Sequence, residues 1–410
     1  MARFFRSLRW LIALATVLTA AAQQSNLPTA QEINSVLGDL SAITGFKIYK
    51  QLPFQMITRD QVNQFLKEQI KQTVKPAEIR AEEVTLKKFG FVPQDFDLKK
   101  TTIDLLTEQA AAFYDFHRKK LFISDWAAEN MREAALVHEL GHALADQNFP
   151  IQKFLAKNSD DSEESLARET VVEGQASWLM IEYALRREGK SLADPVTAEA
   201  YLKDDAGDQA AGEGEYPVFS NAPLYLKRTL MFPYEEGQKF QQAVFMKDGR
   251  DAFSQVFRKP PVTTSQVIHP ERYFSGVTYK LPSLPKPLPH TKTVVEGTMG
   301  ELDHRILLTQ FIDGEAAGTL GPKLKGSAYR IDELKSDRRL MLVYASDWDS
   351  VDAAGQYFGD YQKVLRAKWK KIEVSVEDAQ RFSGKSEDGY FSVALVGSEV
   401  LSEEGFAQPL

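Results

Sequence analysis

Two histidines and a glutamate between Val137 and His142 have the types and spacing of a metal-activated hydrolytic site. His138 and His142 are four residues apart in a segment whose pattern predicts a helix over about 126–147, so both imidazoles lie on one helical face. In that arrangement both can bind one Zn²⁺ ion, and Glu139 between them can act on a metal-bound water. Histidine is sparse, with six in the chain, which makes a chance pair of this kind uncommon. The alternative is two ordinary histidines on a packed helix.

The segment before this helix predicts a β-hairpin that leads into it. Residues 113–116 and 121–123 are rich in aromatic and aliphatic side chains and are separated by a charged turn, as in two short strands. Ser124 and Asp125 follow the second strand and offer side-chain oxygens that can cap the helix. We expect the strand at 121–124 to lie at the edge of its sheet beside the metal, where an extended peptide could pair with it.

A catalytic zinc ion needs a third protein ligand, and a second helix offers Glu173. Asp161 can cap the start of this helix, which is predicted to run to about Arg187. A buried carboxylate is costly unless it is paired or binds a metal, and Gly174 would let a second helix approach closely. Glu173 lies in an otherwise apolar stripe whose members recur every three or four residues: Leu166, Thr170, Ala176 and Met180.

The third ligand has alternatives. Glu169, one turn earlier, is a second candidate, or it could accept the remaining N–H of a ligand histidine. Glu173 could instead pair with a basic residue of its own helix, Arg168 or Arg186. Asp146 continues the face of the two histidines, but it lies about 12 Å along the helix axis from the first of them, too far to share one ion.

The His-Glu-x-x-His sequence followed by Glu173 on a second helix resembles the gluzincin branch of zinc metallopeptidases. Residues 172–176 (Val-Glu-Gly-Gln-Ala) are similar to the Asn-Glu-Gly-x-Ala around the third ligand in aminopeptidases of this branch. The chain differs in three respects. It has 30 residues between His142 and Glu173, more than those aminopeptidases, it has Val172 in place of the Asn, and it has Ser177 where thermolysin-like enzymes have an Asp.

This resemblance, which covers residues 124–184, implies a site and a reaction. Zn²⁺ would be bound by His138, His142 and Glu173, and it would polarise the scissile carbonyl and lower the pKa of its water. Glu139 would take the proton of that water and pass it to the leaving amine. The whole chain is also similar to uncharacterised exported bacterial proteins that share this helix pair.

Two further segments take part in that wider similarity, Phe-Pro-Tyr at 232–234 and His-Pro-Glu at 269–271. An oxygen that gains negative charge in the transition state needs a hydrogen-bond donor. Tyr234, His269 and Tyr273 are candidates, because each lies in a segment that could return to the cleft. The alternative is that they are packed aromatic residues and a histidine that caps a loop.

Residues 1–22 have the pattern of a secretory signal peptide. Three arginines precede a short apolar run from Trp10 to Ala20, and small residues lead to a cleavage point after Ala22. An uncleaved membrane anchor is the alternative, although the run is short for a transmembrane helix. We therefore expect a secreted or periplasmic protein without stable membrane insertion.

Charge and cysteine content exclude some partners and ligands. The formal net charge is −7 and becomes −10 without the three arginines of the signal peptide. So acidic a chain is not expected to bind nucleic acid. The chain has no cysteine, so it has no disulfides, and any zinc ligand must be His, Asp or Glu.

The rest of the chain is predicted to contain three parts and a linker. Residues 23–100 form a helical N-terminal region, either a supporting subdomain or a propeptide-like cover. Residues 101–280 form a zincin-like metallopeptidase domain in which Pro233 breaks or kinks the chain between two helices. A Pro-rich linker at 281–290 leads to an α+β accessory domain, 291–410. His290, the last residue of the linker, and His304, beyond it, are expected at the surface.

The predicted fold class is α+β: a mostly helical zincin-like catalytic domain with a short antiparallel sheet, plus a C-terminal α+β domain. In the C-terminal domain the pattern predicts two helices and an antiparallel sheet with strands at 292–296, 328–333, 339–346, 371–376 and 390–396.

The function expected from these features is an exported zinc metallopeptidase with a peptide or protein substrate. Two alternatives stay open. One is a non-catalytic binding protein that retains a peptidase fold. The other is a zinc hydrolase of a non-peptide amide, which the motif alone does not exclude.

Overall fold

The computed structural model of this protein describes residues 28–73, 75–109, 112–126, 129–157, 161–202 and 216–409. The predicted signal peptide, residues 1–22, lies outside them. The described part has an α+β fold with two β-sheets, one of three strands and one of seven. Of its helices, none is both long enough and apolar enough to cross a membrane.

The N-terminal part packs on the helix that carries the histidine pair. Its described elements are α1 (Ala30–Thr44), β1 (Phe54–Ile57), α2 (Arg59–Thr73), α3 (Pro76–Phe89) and α4 (Leu98–Gln109). A capping box of Thr29 and Glu32 starts α1, and Gly45 ends it with a φ of 77°, a left-handed conformation that glycine adopts readily. The main chain that follows donates hydrogen bonds to the side chains of Gln147 and Asn148.

The middle part contains the expected hairpin and two long helices. Its described elements are β2 (Ala112–Asp115), β3 (Lys120–Ser124), α5 (Glu129–Asn148), α6 (Ile151–Ala156), α7 (Ser162–Arg187), α8 (Pro195–Tyr201), α9 (Pro217–Ser220), α10 (Leu224–Asp248), α11 (Ala252–Arg258), α12 (Thr264–Ile268) and α13 (Pro270–Ser275). Asp161 caps α7 by accepting the main-chain N–H groups of Glu163 and Glu164. Of the two effects expected at Pro233, the break is wrong, because α10 continues through this residue; the kink stays a prediction. A proline inside a helix costs about 3 kcal/mol, and the packing of the buried helix against α7 offsets this cost.

The small sheet is mixed rather than antiparallel. Its strand order is β1-β3-β2, with β2 antiparallel to β3 and β1 parallel to it. The expectation that β3 is an edge strand open to a peptide is therefore wrong, since β3 has a neighbour on each side. The parallel partner comes from the N-terminal part of the chain, and a long-range pairing of this kind has no local sequence pattern.

Glycines set the spacing of the helices around α7. A Cβ atom at Gly237 in α10 would lie 2.7 Å from the Cα of Gly174 and 2.7 Å from the carbonyl oxygen of Thr170. On the α5 side, a Cβ at Gly141 would lie 3.4 Å from the Cα of Ala176. Gly174 was expected to let the helix with the histidine pair, α5, approach α7 closely. Its close contact is instead with Gly237 of α10.

The C-terminal part is built on the seven-stranded antiparallel sheet, in the order β4-β5-β6-β10-β9-β8-β7. Its described elements are β4 (Thr291–Thr298), α14 (Glu301–Phe311), α15 (Gly314–Leu320), β5 (Leu324–Leu334), β6 (Leu340–Trp348), α16 (Val351–Lys368), β7 (Ile372–Glu377), β8 (Arg381–Ser386), β9 (Gly389–Val396) and β10 (Glu399–Phe406). The sequence pattern did not predict β8 and β10. Both are polar for strands, and in β10 the buried Glu404 accepts hydrogen bonds from Tyr361 and Lys368 rather than facing water.

The proline-rich linker lies against the outer face of this sheet. Leu284 packs on Met341, Val343 and Phe406. The carbonyl oxygen of Pro285 accepts a hydrogen bond of 2.8 Å from Arg330. The linker thus contains no helix or strand, and it is attached to the sheet by these contacts.

Helix α3 joins the N-terminal part to the C-terminal sheet. Lys88 forms an ion pair of 2.7 Å with Asp388. Phe89 packs edge-to-face on Tyr329 and Tyr344, with ring centroids 5.4 and 5.5 Å apart. The domain boundaries inferred from the sequence stay predictions.

We expect the Gly237→Ala variant to be less stable than the wild type by about 1–3 kcal/mol, because the added methyl group meets main-chain atoms that cannot move aside. The measurement is urea denaturation followed by tryptophan fluorescence. Gly38→Ala is the matched control, since Gly38 lies within α1 with no atom within 4 Å of its Cβ position. That variant should gain about 0.5–1 kcal/mol. Equal stability of Gly237→Ala and wild type would contradict the tight helix contact.

Candidate metal centre

Two packed helices bring three potential metal ligands together. Helix α5 carries His138 and His142 one turn apart, and α7 carries Glu173 near its middle. Among the residues that the structure describes, these three form the one group of His, Asp and Glu side chains close enough to hold a metal ion. Their ligand atoms lie within 4.8 Å of one another.

The distances within this group fit a tetrahedral metal site. Glu173 Oε2 is 3.1 Å from His138 Nε2 and 3.3 Å from His142 Nε2. Two atoms that each lie 2.0–2.1 Å from a tetrahedral ion are about 3.3 Å from each other. The exposed fractions of His138, His142 and Glu173 are 2%, 4% and 5%. Two imidazole nitrogens and one carboxylate oxygen would leave a fourth position for water.

The three side chains also stabilise one another electrostatically. Burial would raise the pKa of Glu173, but the charge of His142 and hydrogen bonds from both histidines hold this pKa at about 2. Burial likewise disfavours the charged form of His142, yet the charge and hydrogen bond of Glu173 outweigh it and raise the pKa of this imidazole. For His138 burial dominates and lowers the pKa. Glu173 is therefore ionised, and its negative charge favours the protonated form of His142.

The alternative partners proposed for Glu173 are engaged elsewhere. Arg168 binds Glu164, and Arg186 binds Glu182, each one helical turn away. The alternative that Glu173 pairs with Arg168 or Arg186 is thus wrong. Glu169 is buried on the same helix but does not belong to the group of three.

Glu139 lies beside this group and is held by the hairpin. Its Oε2 atom accepts a hydrogen bond of 2.5 Å from the main-chain N–H of Tyr114 in β2. The Tyr114 phenol donates to Asp146 Oδ2 at 2.9 Å. Asp146, which lies too far along the helix to join the group of three, is therefore connected to Glu139 through Tyr114. The sequence did not indicate Tyr114, because a main-chain donor leaves no residue-type signature.

Two contacts to the histidines were also not evident from the sequence. Ser177 Oγ lies 3.4 Å from His138 Nδ1, the ring nitrogen that does not face Glu173. A partner at that nitrogen fixes the orientation of a ligand imidazole. The ring of Phe116 meets that of His142 edge-on, with centroids 5.8 Å apart. Ser177 follows Glu173 by one helical turn, so helical spacing could have identified it.

The structure places Tyr234 at the group and gives His269 and Tyr273 other partners. The ring centroids of Tyr234 and His138 are 5.8 Å apart. His269 Nε2 is 2.9 Å from Glu301 Oε1 in the first turn of α14. Tyr273 donates its hydroxyl hydrogen to the Lys259 carbonyl at 2.7 Å. The catalytic roles of Tyr234 and His269 stay predictions.

Metal binding should weaken as the pH falls, because the ion must displace the proton that Glu173 stabilises on His142. The pKa of His142 is raised, so the affinity should increase with pH and level off above that pKa. In Glu173→Gln, the charge of residue 173 no longer raises the pKa of His142, so the proton competition should move to lower pH. Chelator competition across pH, together with calorimetry in buffers of different ionisation enthalpy, measures both effects. Binding to the wild type at pH 7 without proton release would contradict this.

Comparison with known proteins found a family model that matches part of the chain. Residues 93–190 match the model of the Peptidase_M78 family, described as the IrrE N-terminal-like domain. Searches among curated proteins and among solved structures found no match. The matched region contains the hairpin, both histidines of α5 and Glu173, and it ends before Tyr234 and His269. In this region the chain is similar to a metallopeptidase-like family.

Proposed function

We propose that this protein is a zinc metallopeptidase of gluzincin type, with zinc held by His138, His142 and Glu173. The observation that supports this most is the Glu173 carboxylate, 3.1 and 3.3 Å from two imidazole nitrogens presented by one face of α5. The ligand set of two histidines and one glutamate, with no cysteine in the chain, is one that catalytic zinc uses in peptidases. The family match over residues 93–190 supports the coarser part of the proposal, a metallopeptidase-like protein.

In this proposal Glu139 is the general base. His138, His142 and Glu173 would hold the zinc ion, which would supply Lewis acidity to a water molecule and to the scissile carbonyl. Glu139 accepts the proton of the attacking water and delivers it to the leaving amine nitrogen. It follows His138 directly in α5, and Tyr114 holds its Oε2 atom, so its carboxylate is presented beside the metal group in a fixed orientation.

Tyr234 is the stronger candidate for the donor that stabilises the oxyanion. Its ring packs beside His138, whereas His269 is bound to Glu301, which also binds Arg272 and Arg305. A phenol at this position would donate to the oxygen on which negative charge develops. The substrate is a peptide or protein in this proposal.

The Glu139→Gln variant should retain about one zinc ion per chain and lose peptidase activity by at least about 10³-fold, because the amide cannot accept the water proton. Zinc is measured by elemental analysis, and activity with a fluorogenic peptide library. Its matched partner is Glu173→Ala, which should lose the zinc as well as the activity.

Other results for these two variants and for the wild type would contradict parts of the proposal. Full activity in Glu139→Gln would exclude Glu139 as the base. Retention of zinc in Glu173→Ala would move the third ligand to Glu169 or another residue. A wild-type protein that binds no zinc when zinc is supplied would favour the non-catalytic binding protein. Zinc binding with cleavage of non-peptide amides but not of peptides would favour the non-peptide hydrolase.

We also propose that the protein is exported by its N-terminal segment. The three arginines, the apolar run and the small residues up to Ala22 support cleavage after that residue. Expressed in a bacterial host with an export pathway, the protein should be recovered outside the cytoplasm with Gln23 at its N-terminus. N-terminal sequencing checks this. A protein that keeps Met1 and stays in the cytoplasm would contradict it.

A further inference from the structure

One residue of the hairpin binds two carboxylates of the metal-binding helix. Tyr114 donates its main-chain N–H to Glu139 Oε2 at 2.5 Å and its phenol O–H to Asp146 Oδ2 at 2.9 Å. Glu139 and Asp146 are seven residues apart, which is two helical turns and about 10 Å along α5. Tyr114 therefore spans the segment of helix that begins directly after His138 and contains His142.

Asp146 is an anchor rather than a surface charge. Its side chain is 1% exposed. Besides the Tyr114 phenol it accepts a hydrogen bond of 2.6 Å from Lys119 Nζ and one of 3.3 Å from the main-chain N–H of Ile151. Burial and the negative charge of Asp146 raise the pKa of Tyr114, so the phenol remains a donor. A carboxylate with three donors has little freedom to move.

The hairpin is attached to this anchor at two positions. Tyr114 lies in β2, and Lys119 lies in the turn before β3 with a φ of 52°. The turn itself is stiffened by Asp115, whose Oδ1 accepts the N–H groups of His117 and Arg118 at 2.8 and 2.9 Å. Because strand and turn are both held, the Tyr114 N–H that points at Glu139 has a fixed position.

We propose that Tyr114 is a positioning residue for Glu139, acting through its phenol on Asp146. The phenol fixes the strand, and the strand amide orients the carboxylate of the proposed general base. A base whose orientation is set before the substrate arrives does not lose conformational freedom in the reaction. The proposal rests on the proposed peptidase function for its effect on rate, but the coupling from Asp146 to the Tyr114 amide does not depend on activity.

The first test measures that coupling directly by hydrogen exchange. Protein labelled with ¹⁵N-tyrosine gives at most 14 amide signals, and the Tyr114 signal is the one that disappears in Tyr114→Phe. In Asp146→Ala, exchange of the Tyr114 N–H should become at least about tenfold faster, because the strand loses a charge-assisted anchor. Asp146→Asn keeps an acceptor oxygen for the phenol and should restore most of the protection.

The second test is kinetic. Tyr114→Phe and Asp146→Ala should each lower kcat by about tenfold with KM within about twofold, and the zinc affinity should not change. The double variant should be no slower than either single one, since both remove the same tether. Tyr361→Phe is the control, because it removes a phenol–carboxylate bond of 2.7 Å to Glu404 in the C-terminal part. It should alter neither kcat nor Tyr114 exchange.

The outcomes separate this proposal from the proposed function. Unchanged Tyr114 exchange in Asp146→Ala overturns the tether, whatever the activity. Faster exchange with unchanged kcat in an active enzyme overturns the positioning role. Faster exchange in a zinc-binding protein that cleaves no peptide supports the tether and rejects the peptidase function instead.

Discussion

The contact of one buried carboxylate with two imidazoles is the constraint on which this structure depends. A carboxylate in a protein interior is costly by several kcal/mol unless charge and hydrogen bonds compensate it. Glu173 obtains both from His138 and His142, and it can do so only if α5 and α7 keep one register and one separation. The small residues Gly141 and Ala176 between the two helices allow this approach.

Helix α7 also links the metal group to the C-terminal part. In its first turn, Ser162 donates a hydrogen bond of 3.0 Å to the carbonyl oxygen of Thr298 at the end of β4. The next residue, Glu163, accepts hydrogen bonds from the main chain and side chain of Thr264, the first residue of α12 in the middle part, at 2.9 and 2.8 Å. Glu173 lies about 16 Å further along the same helix axis. The C-terminal sheet is therefore attached to the helix that carries Glu173, although no residue of that sheet belongs to the group of three.

A buried polar network stabilises the C-terminal part and corrects one expectation. His304, which was expected at the surface, is 0% exposed. Its ring nitrogens are 2.8 Å from the Gly300 carbonyl oxygen and 2.6 Å from the Tyr344 hydroxyl, which in turn lies 2.8 Å from the hydroxyl of Tyr357. Burial lowers the pKa of His304, so the ring is neutral and serves as both donor and acceptor. Polar groups with such partners can be buried without a large penalty, and hydrophobic periodicity does not identify them.

Features that depend on local spacing could be predicted from residue types alone. Residues four apart on a helix share a face whatever surrounds them, so the histidine pair and Glu139 could be identified from types and spacing alone. Glu173 was found because a carboxylate in an apolar stripe is costly without a partner. Three long-range features required the folded structure: the parallel strand β1, the Gly174–Gly237 contact that brings α10 and Tyr234 to the site, and the hydrogen bond from the Tyr114 amide to Glu139. These depend on contacts between segments far apart in the chain and on main-chain atoms that every residue has, so residue types and local periodicity do not specify them.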